Sequence, residues 1–199
     1  MKIERTKNAS RNILFGGILK IYQIAVPFLM RTAMIYFMGV QYLGLNSLFT
    51  SILQVLNLTE LGVGSAMVYS MYKPIADDDT KTICALMRLY RLYYRIIGLV
   101  IAVIGGILTP FIPYLVKSDL PAGLNIYILY LLNLAATVLS YWLFAYKNAL
   151  FQAYQRIDIT NKVTLVTNTF QYVVQLIIII FIKDYYLYVL AALLTQALT

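Results

Sequence analysis

Apolar residues run along this chain in blocks too long for the alternation of a strand and too unbroken for the one-sided stripe of a soluble helix. The block boundaries predict helical spans over 13–38, 43–71, 96–115, 126–146 and 163–182, with a sixth over 187–199. The first five meet the ~20 residues needed to cross hydrocarbon. The sixth stops at Thr199 after about a dozen residues, so the natural protein is expected to continue. Short connections and the lack of a Pro/Gly/Ser-rich linker predict one domain over 1–199. The fold class expected is an all-α integral membrane protein, with five complete spans and part of a sixth.

Polar residues inside the blocks are phased. At 100° per residue, Gly16, Lys20, Gln23, Pro27 and Arg31 fall within about 80° of arc in the first span. Asn46, Thr50, Gln54, Asn57, Glu60 and Gly64 fall within about 120° in the second. Asn133, Thr137, Ser140 and Lys147 share a stripe in the fourth, and Thr164, Thr167, Asn168, Gln171 and Gln175 share one in the fifth. The third, from Ile96 to Leu108, has no stripe and contains Gly105-Gly106, which predicts lipid exposure or close packing on a neighbour. One Asn or Gln in a span is usually interhelical glue. Stripes on four spans predict a shared polar cavity, with polar packing alone as the competing reading.

Three charges fall within predicted hydrocarbon, namely Lys20, Arg31 and Glu60. Each is unfavourable by at least ~2.5 kcal/mol at mid-bilayer unless paired or hydrated. A hairpin about the Gly39–Leu43 turn brings Glu60 level with position 22, which predicts a Lys20–Glu60 ion pair. Arg31 is then left without a carboxylate, facing Asn46, Thr50 and Gln54. Its planar fork suits a phosphate or diphosphate, whereas snorkelling to the outer interface is the alternative. Pro27 predicts a kink, either a hinge or a static bend.

Composition sharpens the class: 61% of residues are hydrophobic and 12% charged, which excludes a soluble domain. Lys2, Arg5, Lys7 and Arg11 precede the first block as in a secretory signal. That block is long, carries Lys20 and Arg31 and lacks a small-residue cleavage site, so it is expected to be a retained span. The flanks on one side hold those four cations with Lys73, Lys81, Arg88, Arg91, Arg95, Lys147, Arg156 and Lys162; the other side holds Lys117 and Lys183. The positive-inside rule places the richer side and the N-terminus in the cytoplasm. The net charge of +8 is therefore mostly topology and gives no support to a nucleic-acid partner.

Arg88, Arg91 and Arg95 form a basic stripe with Tyr90, Tyr93 and Tyr94 beside it at headgroup depth. The stripe either anchors the helix at the interface or gathers anionic lipid headgroups. Asp77-Asp78-Asp79 is expected to favour the N-terminus of that helix. Thr109 to Asn125, with Pro110, Pro113 and Pro121, reads as a turn-rich outer cap. The chain has one Cys, Cys84, and no His, so neither a disulfide within the chain nor a metal or other cofactor is expected.

A family signal lies around the first two spans: Arg11-Asn12 before the first, Met38-Gly39-Val40-Gln41-Tyr42-Leu43-Gly44-Leu45 at the turn, Glu60-Leu61-Gly62-Val63-Gly64-Ser65-Ala66 closing the second, and then a basic helix. Across nearly the whole chain, span order and loop length resemble the polysaccharide branch of the multidrug, oligosaccharidyl-lipid and polysaccharide exporters, the Wzx-type flippases. The resemblance implies the N-terminal lobe of a MATE/MOP-like two-lobed transporter, not an enzyme, in a bacterial plasma (inner) membrane. It would move a polyprenyl-diphosphate-linked oligosaccharide outward by alternating access, for O-antigen, capsule or exopolysaccharide synthesis. A polysaccharide polymerase and glycosyltransferases would be its partners, alongside the lipid bilayer.

Three other functions compete. A multidrug or cation antiporter of the same fold needs cavity carboxylates, and only Glu60 qualifies. A membrane-embedded glycosyl or prenyl transferase could hold metal-bound pyrophosphate on Asp77-Asp78-Asp79, but consecutive aspartates do not share one helical face. An assembly subunit would leave the polar stripes without a purpose.

Overall fold

The computed structural model describes residues 5–57, 62–116, 124–143 and 145–198, and among these every regular element is helical. The helices are α1 (Arg5–Phe37), α2 (Val40–Asn57), α3 (Val63–Ala76), α4 (Thr80–Leu108), α5 (Ile112–Leu115), α6 (Ile126–Leu143), α7 (Ala145–Ala153), α8 (Ile157–Ile177) and α9 (Tyr185–Leu198). A 3-10 turn, Thr109–Phe111, precedes α5, and a π-helical segment, Ile178–Ile182, extends α8.

Four helical stretches are long and apolar enough to cross a membrane: Asn8–Phe37, Thr80–Leu115, Ile126–Leu143 and Ile157–Ile182. Tyr185–Thr195 is apolar but shorter. The second predicted block departs most from expectation, because it is two helices rather than one span over 43–71. Gly62 adopts φ 86°, a left-handed conformation that glycine enters without a Cβ clash, and α3 starts directly after it. The phase of α2 therefore does not carry through to Gly64; of the six-residue stripe, Asn46, Thr50, Gln54 and Asn57 lie on α2, and Glu60 lies outside the described residues. The fourth block is helical on both sides of position 144, which lies outside the described residues, with Asn133, Thr137 and Ser140 on α6 and Lys147 on α7.

The other differences concern helix ends. α1 starts at Arg5 rather than Ile13, and α4 joins the basic stripe and the third apolar block in one helix of 29 residues. Hydrophobicity marks where a helix meets hydrocarbon; backbone hydrogen bonding continues beyond that boundary. Asp79 caps α4 by accepting from the Thr82 amide, as its position before the helix suggested. Asp78 takes φ 52° in the turn closing α3, where the Asp79 amide reaches back to the Pro74 carbonyl at 2.9 Å. This is a Schellman arrangement with Asp in the place glycine usually takes.

The turns sort to two ends of the bundle. At one end, Asn12 near the start of α1 bonds the α7–α8 corner, and α3 runs alongside α7. At the other, the Tyr42 ring beside the α1–α2 turn meets Tyr185, and the Asn125 amide donates to the Tyr186 hydroxyl at 2.7 Å. Among the described residues the first end carries Arg11, Lys73, Lys81, Arg156 and Lys162 near its corners, and the second carries Lys183.

The core forms around α6, which packs on α4, α9 and α2. Phe49, Met71, Ile101, Leu129 and Tyr130 are essentially inaccessible, and the Phe49 and Tyr130 rings lie 6.0 Å apart. Lipid is as apolar as leucine, so close packing rather than water exclusion holds such helices together. Gly105 shows how: a Cβ there would lie 2.9 Å from Leu134 Cδ2 and closer still to Cδ1. The bare backbone lets α6 approach until the Tyr130 hydroxyl donates to the Gly105 carbonyl at 3.0 Å. Gly106, its neighbour, faces open space. Gly105 thus meets the expectation of close packing on a neighbour.

Candidate functional site

α1 is the least enclosed of the long helices. It rests on α2 and α8 along a narrow seam, with Met30 and Met34 buried, while Ile21, Ile24, Phe28 and Tyr36 stay exposed. Its polar stripe stays open too. Lys20, Gln23 and Arg31 are exposed and Pro27 is half-buried. Gln23, Pro27 and Arg31 share a groove of about 430 Å³, whose other walls are Ile24, Ala25 and Phe28.

The chemistry of this groove follows from its residues. Pro27 has no N–H to return to the Gln23 carbonyl, so that oxygen is available to an outside donor. The Gln23 amide can donate or accept, and the Arg31 guanidinium presents a planar set of donors a little over two turns away. Among the described residues no carboxylate pairs with Arg31. An elongated anion bearing hydroxyl groups fits this set better than a cation would.

The remaining predicted cavity residues are less uniform. Thr50 and Gln54 are exposed on α2 and Asn46 is half-buried, but the groove around Arg31 is lined by α1 alone. The Thr50 hydroxyl donates to the Asn46 carbonyl at 2.7 Å, leaving lone pairs to face outward. The side chains of Asn57 and Glu60, and with them the expected Lys20–Glu60 pair, lie outside the described residues.

On α6, Asn133 donates to Leu129 at 2.8 Å, and Thr137 and Ser140 return hydrogen bonds to their own helix. These side chains spend donors on local backbone, which sequence phase cannot reveal. On α8, Asn168 and Gln171 are half-buried, but Gln175 is 2% exposed and donates to the Tyr188 carbonyl at 3.2 Å. Gln175 is therefore enclosed between α8 and α9 instead of lining open space. The seam with α1 is made by other residues of α8, where Thr169 bonds the Tyr22 hydroxyl at 3.0 Å and Tyr22 meets Tyr172.

Sequence reasoning missed Asp158. Its carboxylate is fully buried, 2.9 Å from Arg156 Nε and 3.2 Å from an Arg11 terminal nitrogen. Asn12 fastens the same corner: its amide donates to the Gln155 carbonyl at 3.0 Å, and its oxygen accepts from the Asp158 amide at 2.8 Å. Asn12 thus caps α8 from another helix, and Lys162 lies over the Phe15 ring beside it. The available signal was an acidic residue between Arg156 and Lys162, a few positions ahead of the span predicted over 163–182.

The basic stripe on α4 also divides. Arg88, Arg91 and Arg95 are exposed, as expected, but Tyr90 and Tyr94 turn into the bundle instead of lying beside them on its surface. Both are 4% exposed; Tyr90 donates to the Met67 carbonyl at 2.8 Å, and Tyr94 packs on Tyr141. Tyr90 lies about 100° or more from each arginine around the helix and Tyr94 about 60° from Arg91, and the two rings face α3 and α6. Tyr93 is the exposed one. The Asp79 carboxylate caps α4, Asp77 and Asp78 lie in the turn that closes α3, and no three acidic side chains converge on one point among the described residues.

No protein-family profile, curated protein or solved structure matches the chain.

Proposed function

We propose that this chain is the N-terminal lobe of a Wzx-type flippase that carries a polyprenyl-diphosphate-linked oligosaccharide across a bacterial plasma membrane. The observation that supports it best is the open groove on α1, with Arg31 and Gln23 on either side of Pro27. A helix that leaves a cationic, hydrogen-bonding face uncovered by its own lobe is suited to a cavity whose opposite wall comes from elsewhere. The guanidinium would take the diphosphate, and Gln23, Thr50 and Gln54 would offer hydrogen bonds to sugar hydroxyls. The family resemblance supplies the substrate class and the alternating-access mechanism.

In this reading the end bearing Arg11, Lys73, Arg156 and Lys162 faces the cytoplasm. Span two is formed by a broken helix, α2 with α3, span four by α6 with α7, and α9 belongs to span six. Interruptions of this kind are tolerated in transporters where backbone lines a cavity or is covered by protein.

The test is leaflet transfer of a polyprenyl-diphosphate oligosaccharide in proteoliposomes of the natural protein, wild type against Arg31→Ala, with matched folding. Removing the guanidinium should slow transfer on the order of tenfold or more, as for a charged hydrogen bond of ~1.5–3 kcal/mol. Unchanged transfer would make Arg31 an interfacial anchor. No transfer in the wild type would favour the antiporter.

A further inference from the structure

A second groove, of about 610 Å³, opens between α4 and α6, lined by Arg91, Arg95, Ile96, Leu99, Trp142 and Leu143. It lies where the exposed face of α4 changes character. Arg88, Arg91 and Arg95 occupy the polar half, and Ile96, Leu99 and Val103 continue the same side as bare hydrocarbon. Arg91 and Arg95 are one turn apart, so their guanidiniums can converge on a single group. Arg88 does not line the groove.

Trp142 forms the wall from α6. Its indole N–H donates to the Arg95 carbonyl at 3.2 Å, yet the side chain remains 41% exposed. Gly98 admits it: a Cβ at that position would come within 2.6 Å of Trp142 Cδ1, and nearer to Nε1. The indole is therefore held by α4 backbone on one edge and presents the rest of its ring to the groove. Two cations at the mouth, an apolar floor and an amphipathic aromatic at the boundary match the order of headgroup, glycerol region and acyl chain in a lipid.

We propose that this groove is a binding site for an anionic phospholipid, whose phosphate lies between Arg91 and Arg95 and whose acyl chain lies along Ile96, Leu99 and Leu143. Charge complementarity selects the occupant, since two guanidiniums without a carboxylate among the groove residues favour a phosphate bearing net negative charge. The apolar floor, continuous with the exposed face of α4, requires a hydrocarbon tail that a free anion lacks. The site is independent of the α1 groove and of the flippase reading.

Trp142 is the one tryptophan in the chain, so the site carries its own reporter. The full chain is reconstituted in bilayers containing increasing fractions of phosphatidylglycerol or phosphatidylcholine with brominated acyl chains, and quenching of Trp142 is measured. The anionic lipid should reach half-maximal quenching at a fraction lower on the order of tenfold, the scale expected for two interfacial arginines. Arg91→Gln with Arg95→Gln should bring the two lipids to parity. Lys73→Gln with Lys81→Gln makes the same change in net charge away from the groove and should leave the preference intact.

Circular dichroism and thermal melts establish that each variant is folded, and a variant that fails them is replaced by Arg91→Lys with Arg95→Lys, expected to weaken the preference partially. Equal quenching in the wild type, a preference that survives removal of both arginines, or an equal loss in the lysine control would each overturn the proposal. Erasure of the preference by millimolar inorganic phosphate at constant ionic strength would overturn it as well, since the groove would then take the free anion.

Discussion

Asp158 offers the sharpest energetic test, because its carboxylate is enclosed between the Arg156 and Arg11 guanidiniums. Asp158→Asn keeps the shape of the side chain and removes its charge, leaving Arg156 and Arg11 converging on a neutral amide. Removing one partner of a fully buried pair is destabilising by ~3–5 kcal/mol. Here the carboxylate is 0% exposed, but the Arg156 and Arg11 side chains are 36% and 39% exposed, so water relieves part of the loss on their side. The new amide retains one hydrogen bond, of about 1 kcal/mol. The expected destabilisation is therefore about 2 kcal/mol, placed between buried and exposed pairs. Arg11→Gln alone should register only ~0.5 kcal/mol, the value of a partly exposed pair. The assay is reversible unfolding in mixed detergent micelles followed by helicity, run as a double-mutant cycle on Arg11 and Asp158. If Asp158→Asn is no more damaging than Arg11→Gln, Asp158 does not hold the α1–α8 corner together and this account of it is wrong.

Other positions give independent checks. Gly98→Ala should destabilise the α4–α6 contact by about 2 kcal/mol through overpacking, and should shift Trp142 emission as the indole leaves the Arg95 carbonyl; an unchanged spectrum would mean the contact is looser than 3.2 Å suggests. Gln175→Leu removes a buried Oε1 that has no hydrogen-bond partner among the described residues together with the Nε2 bond to the Tyr188 carbonyl, so the two effects should offset to within ~1 kcal/mol in unfolding. A loss clearly beyond that would reveal a polar partner for the oxygen.

Asp79 titrates below the ordinary carboxylate range because the Thr82 hydroxyl, and then the Thr82 amide, bond its charged form. Since its folded value is the lower one, the stability it adds to the first turn of α4 is present above the unfolded carboxylate value and is lost as pH falls through the lowered one. Hydrogen exchange at the Thr82 amide should accelerate across that window relative to its intrinsic pH dependence. Asp79→Asn should remove the excess.

The chain's class was legible before any coordinate, because hydrophobic blocks of bilayer length leave helices as the economical way to satisfy backbone polar groups. Cap and turn chemistry was partly legible as well: Asp79 before a helical run and Gly39 at the α1–α2 turn lie where local rules put them. The phase of Lys20, Gln23 and Arg31 followed from the helical repeat, and that face is open in the structure.

Tertiary structure decided which polar stripes face outward. Gln175 and Gln171 share a helical phase, yet α9 closes over only the first, and helical phase within α8 contains no information about a neighbouring helix. The break at Gly62 was equally hidden, since a glycine in an apolar run is compatible with a continuous helix until its φ turns positive. Asp158 belongs to the same category. Its sequence neighbours include Arg156, but its burial depends on Arg11 and Asn12, residues that only the folded bundle brings to the end of α8. Hydrophobicity and period act within one helix and can be read along a line; the fate of a polar side chain is set by what packs across from it.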